Sequence, residues 1–180
     1  LGLGWDPWNV TEDCELGLRL ARTGLDTAIL DSTTWEEAPV VWGSWFRQRS
    51  RWMKGYWQTF LVHTREPLAC LRELGWWRTA WMLAVVGGQV LALLAVPLAL
   101  LLAAAWLWWR WPLFDPSRAW TLAAVVVAAG LALGNLFFLA IHAIAAWQRG
   151  FRSLACWTPL MPLYWLLASL ATWRGVWQAF

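Results

Sequence analysis

Three stretches of the chain carry no charged side chain: residues 79–109, 119–148 and 153–173, or 31, 30 and 21 positions in a row. About 20 consecutive apolar residues suffice for a helix to cross a hydrocarbon core roughly 30 Å thick. Lipid offers no partner to a bare N–H or C=O, so a spanning segment must bond its backbone internally, as a helix does. The first run would reach about 46 Å as one helix. Gly87-Gly88 and Pro97 are therefore expected to break or tilt it. The reading is a short interfacial piece at 80–86 followed by a span, with a re-entrant hairpin at Pro97 as the alternative. About three transmembrane helices are expected, near 89–109, 120–146 and 154–174. Trp106, Trp108, Trp109, Trp111, Trp120, Trp147, Trp173 and Trp177 sit near their ends, where indoles prefer the lipid–water boundary.

Charge divides the chain. Residues 1–78 hold 10 acids and 9 bases, whereas residues 79–180 hold one acid and five arginines. The excess of positive charge belongs to membrane-flanking positions, not to a patch able to neutralise a nucleic-acid backbone. Nucleic acid is excluded as a partner on this ground, and membrane lipid is expected as one. With the first part in the cytosol, the arginine-bearing loop 148–152 is cytosolic too. Arginine outnumbers lysine 13 to one, a composition that fits a GC-rich bacterial source. Cys14, Cys70 and Cys156 lack metal-ligand spacing and read as small buried side chains. No metal ligand is expected in the chain.

In the second long run, Gly130 and Gly134 form a GxxxG that admits a close helix neighbour. Asn135 and His142 share a face there, as packing contacts or as the lining of a polar conduit.

The polar part organises around two short segments. Asn9 or Thr11 caps a helix, with Asn9 and Glu12 spaced as a capping box, and Glu12, Asp13 and Glu15 favour the positive end of the helix dipole. Leu16, Leu20 and Ala21 give its buried face, and Gly24 its C-terminal stop. Residues 26–31 read as a short strand. Over 42–61, Trp42, Trp45, Phe46, Trp52, Met53, Tyr56, Trp57, Phe60 and Leu61 recur at helical spacing, with Arg47, Gln48, Ser50, Arg51, Lys54 and Gln58 elsewhere. An aromatic face opposite a basic one suits a helix lying in the membrane interface. His63 reads as a surface or interface residue. Trp5, Trp8 and Trp35 read as packing residues, with an acceptor path as the alternative.

The chemistry lies in Thr11-Glu12-Asp13 and Gln48-Arg49-Ser50-Arg51-Trp52. A carboxylate at a helix start can take a proton from a hydroxyl, although dipole capping explains it as well. Guanidiniums match phosphate oxygens, although a basic face on anionic lipid explains them as well. An indole offers a sugar ring a flat face. TED at 11–13 and QxxRW at 48–52, about 35 residues apart and ahead of spanning helices, resemble the C-terminal half of membrane-embedded family 2 glycosyltransferases such as cellulose, hyaluronan and poly-N-acetylglucosamine synthases. The runs WDPWNVTEDCELGLRLARTG and RQRSRWMKGYWQ carry the likeness.

The resemblance implies a mostly α chain: the end of a GT-A-like α/β catalytic domain (1–41), an amphipathic interfacial helix region with QxxRW (42–78), and transmembrane helices (79–180). It implies an integral inner-membrane protein with its catalytic part cytosolic. It implies inverting sugar transfer from a nucleotide-sugar donor to a growing polysaccharide or a lipid-linked acceptor. Asp13 would be the base. Thr11, Glu12 and Trp52 would hold the acceptor, and Gln48 and Arg51 the donor diphosphate. It also implies a divalent metal, Mg or Mn, bound through a DxD motif that this chain lacks. The chain opens LGLGWDPWNV without a Met and reads as a piece of a longer protein, inactive alone without the nucleotide-binding half. The alternatives are a membrane transport or channel subunit and a structural anchor without catalysis.

Overall fold

A computed structural model of the chain describes residue 4, residues 8–109 and residues 119–180. Trp5, Trp111 and the loop 110–118 lie outside the described residues, as do the side chains of Trp106, Trp109 and Trp120. The chain is helical: α1 (Glu12–Arg22), α2 (Trp42–Thr64), α3 (Pro67–Met82), a π-helical turn (Leu83–Gly87), α4 (Gly88–Trp109), α5 (Ala119–Gln148), α6 (Arg152–Ala155), a 3-10 turn (Thr158–Leu160) and α7 (Met161–Trp177). No strand occurs among the described residues. Residues 26–31 are exposed and belong to no strand, because no neighbouring strand among the described residues lies beside them. The chain forms two compact units, residues 1–96 with 167–180, and Pro97–Leu166.

In the first unit, α1 begins with Thr11 at its N-cap position, and three acids load its first turn. Thr11 makes no side-chain cap bond. Instead Asn9 Oδ1 accepts the Thr11 N–H at 3.0 Å, a local Asx turn in place of the expected capping box. The helix ends as Gly24 predicts. Gly24 has φ +81, its N–H donates to Ala21 O at 3.1 Å, and Leu25 N–H donates to Leu20 O at 3.0 Å. That pair of bonds is the Schellman arrangement, which needs a left-handed residue where a β-carbon would strain.

The core of this unit is Cys70, Leu74, Met82 and Val86, with Cys14, Leu18, Ala21, Tyr56 and Phe60 packed against it. Cys14, Leu18 and Ala21 thus replace the expected face of Leu16, Leu20 and Ala21, and the most buried α1 side chain is Glu15. Of the three cysteines only Cys70 is fully buried; Cys14 is half-buried and Cys156 exposed. Pro67 opens α3 where its missing N–H costs nothing, and Gly75 (φ 74) breaks that helix. Beyond the break Trp76, Trp77 and Trp81 are exposed and stack edge to face at 5.2 and 5.7 Å. Phe60 of α2 fills the space at Gly87, where any β-carbon would overlap its ring.

Pro97 does not turn the chain back, since α4 runs through it. Proline offers no N–H to the carbonyl four residues earlier, that of Leu93. Ser169 Oγ of α7 donates to that carbonyl at 2.6 Å, and Trp173 Nε1 donates to the next, Leu94 O, at 3.1 Å. A side chain from a neighbouring helix thus fills the vacancy, as a proline inside an apolar helix requires. Among the described residues, the helical stretch Pro67–Leu101 is the one long and apolar enough to cross a membrane, and little of it is buried.

In the second unit, Phe138 meets Trp165 edge-on at 5.9 Å. His142 Nδ1 lies 2.8 Å from Phe138 O, a bond to its own helix rather than to a conduit. A niche of about 360 Å³ is lined by Gly130, Gly134, Asn135, Phe138 and Trp165. Nothing lies within 4 Å of a β-carbon at Gly130 or Gly134, so among the described residues no helix closes on the GxxxG. Trp108, Trp147, Trp173 and Trp177 are exposed.

Ser169→Ala is expected to destabilise the protein by about 1 kcal/mol. In a Pro97→Ala background, whose restored N–H serves Leu93, the same change is expected to cost close to nothing. A double-mutant cycle of unfolding in detergent reads the difference.

Candidate active site

Helix α2 is where the two motif segments meet. The buried residues of α2 are Ser50, Met53, Gly55, Thr59 and His63, mostly small or polar, whereas the aromatics at helical spacing stay at its flanks, half-buried or exposed. Gly55, Thr59 and His63 recur every fourth residue and form one ridge. Helix α1 lies on that ridge.

The contact at Gly55 is close. A β-carbon there would stand 2.7 Å from Thr11 Oγ1 and 3.0 Å from Thr11 N, so glycine lets the α1 N-terminus approach the α2 backbone. Thr11 is 4% exposed. One turn on, Asn9 Nδ2 donates to Thr59 Oγ1 at 2.7 Å. The Thr11 hydroxyl donates to Asn9 Oδ1 at 3.1 Å and lies 3.5 Å from Thr59 Oγ1. At the far end of the ridge His63, expected at the surface, is 2% exposed. It faces Arg22 and Glu15.

The seating leaves the TED residues in three settings. Thr11 is buried in the joint, Glu12 is half-buried, and Asp13 is exposed. One Asp13 oxygen accepts the Cys14 N–H at 2.7 Å. In the QxxRW segment Gln48 and Trp52 are half-buried, and Arg51 is exposed; the spacing of 48, 51 and 52 puts all three on one side of α2. Ser50, between them, is buried on the opposite side and donates to Phe46 O at 2.8 Å. There it meets Gly175 of α7, where a β-carbon would collide with the Ser50 carbonyl. The Arg49 guanidinium lies over the Trp52 ring, 4.6 Å from its centroid, which orients the indole.

Tyr56 links the segments. It stands one turn beyond Trp52 on α2 and packs against the core. Burial, then the nearby Cys14 and Asp13, raise its phenol above the usual range, and Arg49 opposes them. Burial first, then Asp13 and Glu15, also raise the Cys14 thiol. A carboxylate can receive a hydroxyl proton, an indole can stack a ring and a guanidinium can pair an anion; α1 carries the first of these groups as Asp13, and α2 the other two as Trp52 and Arg51.

Hydrophobic periodicity does not mark Gly55, Thr59 and His63 as the ridge that seats α1. The fourfold spacing of small and polar residues at 55, 59 and 63 was the available signal. Trp8 and Trp35 are exposed rather than packed in a domain. Among the described residues no three His, Cys, Asp or Glu side chains gather to hold a cation; the resemblance assigns the divalent metal to a DxD motif that this sequence does not contain.

Comparison with known proteins bears on this arrangement. Residues 1–173 match the model of the family described as "Glycosyl transferase family group 2". A stretch of 53 residues, 29% of the chain, is 40% identical to the "Probable glycosyltransferase YdaM" of Bacillus subtilis (strain 168) and covers 13% of that protein's length. No solved structure matches the chain.

Gly55→Ala is expected to destabilise the protein by about 1–3 kcal/mol, the usual range for overpacking a closed contact. Thermal unfolding measures it. Gly17→Ala, where nothing lies within 4 Å of the new β-carbon, serves as the control and is expected to lower stability not at all.

Proposed function

Because the chain belongs to the glycosyl transferase family group 2, we propose that it forms the acceptor-side and membrane-side part of an inverting, membrane-embedded glycosyltransferase of the polysaccharide-synthase kind. The donor is a nucleotide sugar, and the acceptor is a growing polysaccharide or a lipid-linked sugar. The observation that supports this reading is the seating of α1 on α2 at Thr11, Gly55 and Thr59, which joins the helix carrying Asp13 to the helix carrying Gln48, Arg51 and Trp52.

In the reaction proposed, the acceptor hydroxyl gives its proton to the Asp13 carboxylate as its oxygen attacks the anomeric carbon from the face opposite the leaving group. The bond from that carbon to the diphosphate oxygen breaks, and its electron pair leaves with the nucleoside diphosphate. Arg51, with Gln48, pairs with the charge that grows on that oxygen, a charge-assisted contact strongest in the transition state. Trp52 carries the acceptor ring, and Arg49 fixes its orientation. Thr11 and Glu12 shape the wall beside the base. One base and one attack give inversion.

The uncharged helices are proposed to anchor this apparatus in the inner membrane with α1 and α2 on the cytosolic side. The helical stretch Pro67–Leu101 supports one crossing, and α5 and α7 are proposed as two more.

Asp13→Asn in the full-length protein is expected to lower sugar transfer by about 10²–10⁴-fold, the ordinary contribution of a general base, with membrane insertion retained. Unchanged transfer would remove Asp13 from this role. Trp52→Ala is expected to weaken acceptor use while donor hydrolysis persists; a loss confined to donor affinity contradicts the stacking role.

A further inference from the structure

We propose that His63 is a positioning residue for the helix that bears Asp13: its neutral imidazole seats α1 on α2, and protonation in acid unseats it. The inference rests on the preceding reading insofar as Asp13 is the base.

The geometry fixes the form of the ring. His63 Nδ1 lies 3.3 Å from Arg22 Nη1. A guanidinium can only donate, so Nδ1 must accept, and the proton of the neutral ring stands on Nε2. Nε2 faces Glu15 Oε1 at 3.9 Å, too far for a hydrogen bond. Glu15 is already paired with Arg19 at 2.9 Å, and Arg22 with Glu73 of α3. The ring therefore sits among Glu15, Arg19 and Arg22 of α1, with Glu73 of α3 beyond; Glu66 and Cys70 of α3 also act on Arg22.

A proton added to this ring must go to Nδ1, where it would face the donors of Arg22. A joint made by an acceptor becomes two donors and two positive charges in contact. Burial first, then Arg22 and Arg19, hold the imidazole below its ordinary range, and Glu73 opposes them only in part. In the unfolded chain the ring takes its proton near pH 6.5. The stabilisation is therefore complete above about pH 6.5 and is lost as pH falls through that value toward the lower folded one.

The place of the joint gives it a role. Gly55 and Thr59 hold the start of α1, and His63 holds its last turn through Arg22. Without His63, α1 can pivot about Thr11, and Asp13 stands in its first turn. Misplacement of that carboxylate lowers kcat, whereas donor contacts on α2 stay as they are.

The test uses the full-length protein in lipid nanodiscs, with transfer followed from pH 5 to 8 in the wild type, His63→Asn and His63→Leu. Asparagine keeps an acceptor near the Nδ1 position and cannot be protonated. Wild-type kcat is expected to fall about tenfold between pH 7 and 5.5, with donor KM steady. His63→Asn is expected to keep near-wild-type kcat at pH 7 and to lose the acid fall. His63→Leu is expected to have a kcat about tenfold lower at every pH. An acid fall shared by the wild type and His63→Asn overturns the proposal, as does a His63→Leu loss that appears in donor KM. Amide exchange across Glu12–Arg22, corrected for intrinsic rates, reads the seating without activity. It is expected to quicken in acid in the wild type and not in His63→Asn, and equal exchange overturns the proposal. If transfer is absent or indifferent to Asp13→Asn while exchange behaves as expected, the enzymatic reading fails and the seating stands.

Discussion

The Thr11 side chain lies on Gly55 with no room for a single added carbon between them, and much of the first unit is arranged around that approach. Helix α2 is gripped on two sides by contacts of this kind: Gly55 and Thr59 take α1, and Ser50 takes α7 at Gly175. Small residues let backbones come close, and close backbones cannot slide without collision. The indoles are consequently left to the flanks, half-buried or exposed, with Trp52 among them, while Tyr56 and Phe60 reach past the small ridge to pack against the core. An orderly site on a thin scaffold follows from placing the rigid contacts beneath it and the large flat side chains around it.

The same helix shows what a sequence can and cannot disclose. Its position, the helix before it, the stop at Gly24 and the apolar helices after residue 79 all follow from local chemistry. A left-handed residue, a proline at a helix start and a long charge-free run each act through their own backbone or solvent. Which face of α2 turns inward does not follow. Hydrophobic spacing marks only the greasiest stripe, which is the aromatic one. The inward stripe is set by the partners α1 and α7, which come close only where the surface is small. Nothing in its own helix marks His63 as buried, because its burial depends on Glu15, Arg19 and Arg22 arriving from another helix. Residues 26–31 fail as a strand on similar grounds, since a strand is defined by its neighbour. The candidate site divides along the same line. Its chemically distinctive residues stand out by type and spacing, while Asn9, Tyr56 and Thr59, which join the two segments, become visible only once α1 is seated.

Helix α7 plays two parts that no single pattern would connect. Its Gly175 face meets the QxxRW helix, and its Ser169 and Trp173 supply donors to the carbonyls beside Pro97. A proline in an apolar helix is tolerable when another element answers the vacancy. The helix that answers it here also supports the proposed donor-binding segment, so the integrity of the apolar helix and the placement of Gln48, Arg51 and Trp52 depend on one partner.

The π-helical turn at Leu83–Gly87 carries a consequence for how such a chain can change over generations. A π turn holds one residue more than the α-helical path would need. Deleting any one of its residues would make the helix regular and locally more comfortable. The helices on either side would keep their facing, because the wide turn absorbs the extra residue. What would change is the turn itself, where Phe60 of α2 packs onto Gly87. The irregular turn is therefore tied to its contact with α2 rather than to the helix that contains it. Lineages are free to vary the apolar side chains on either side of it far more readily than the number of residues within it.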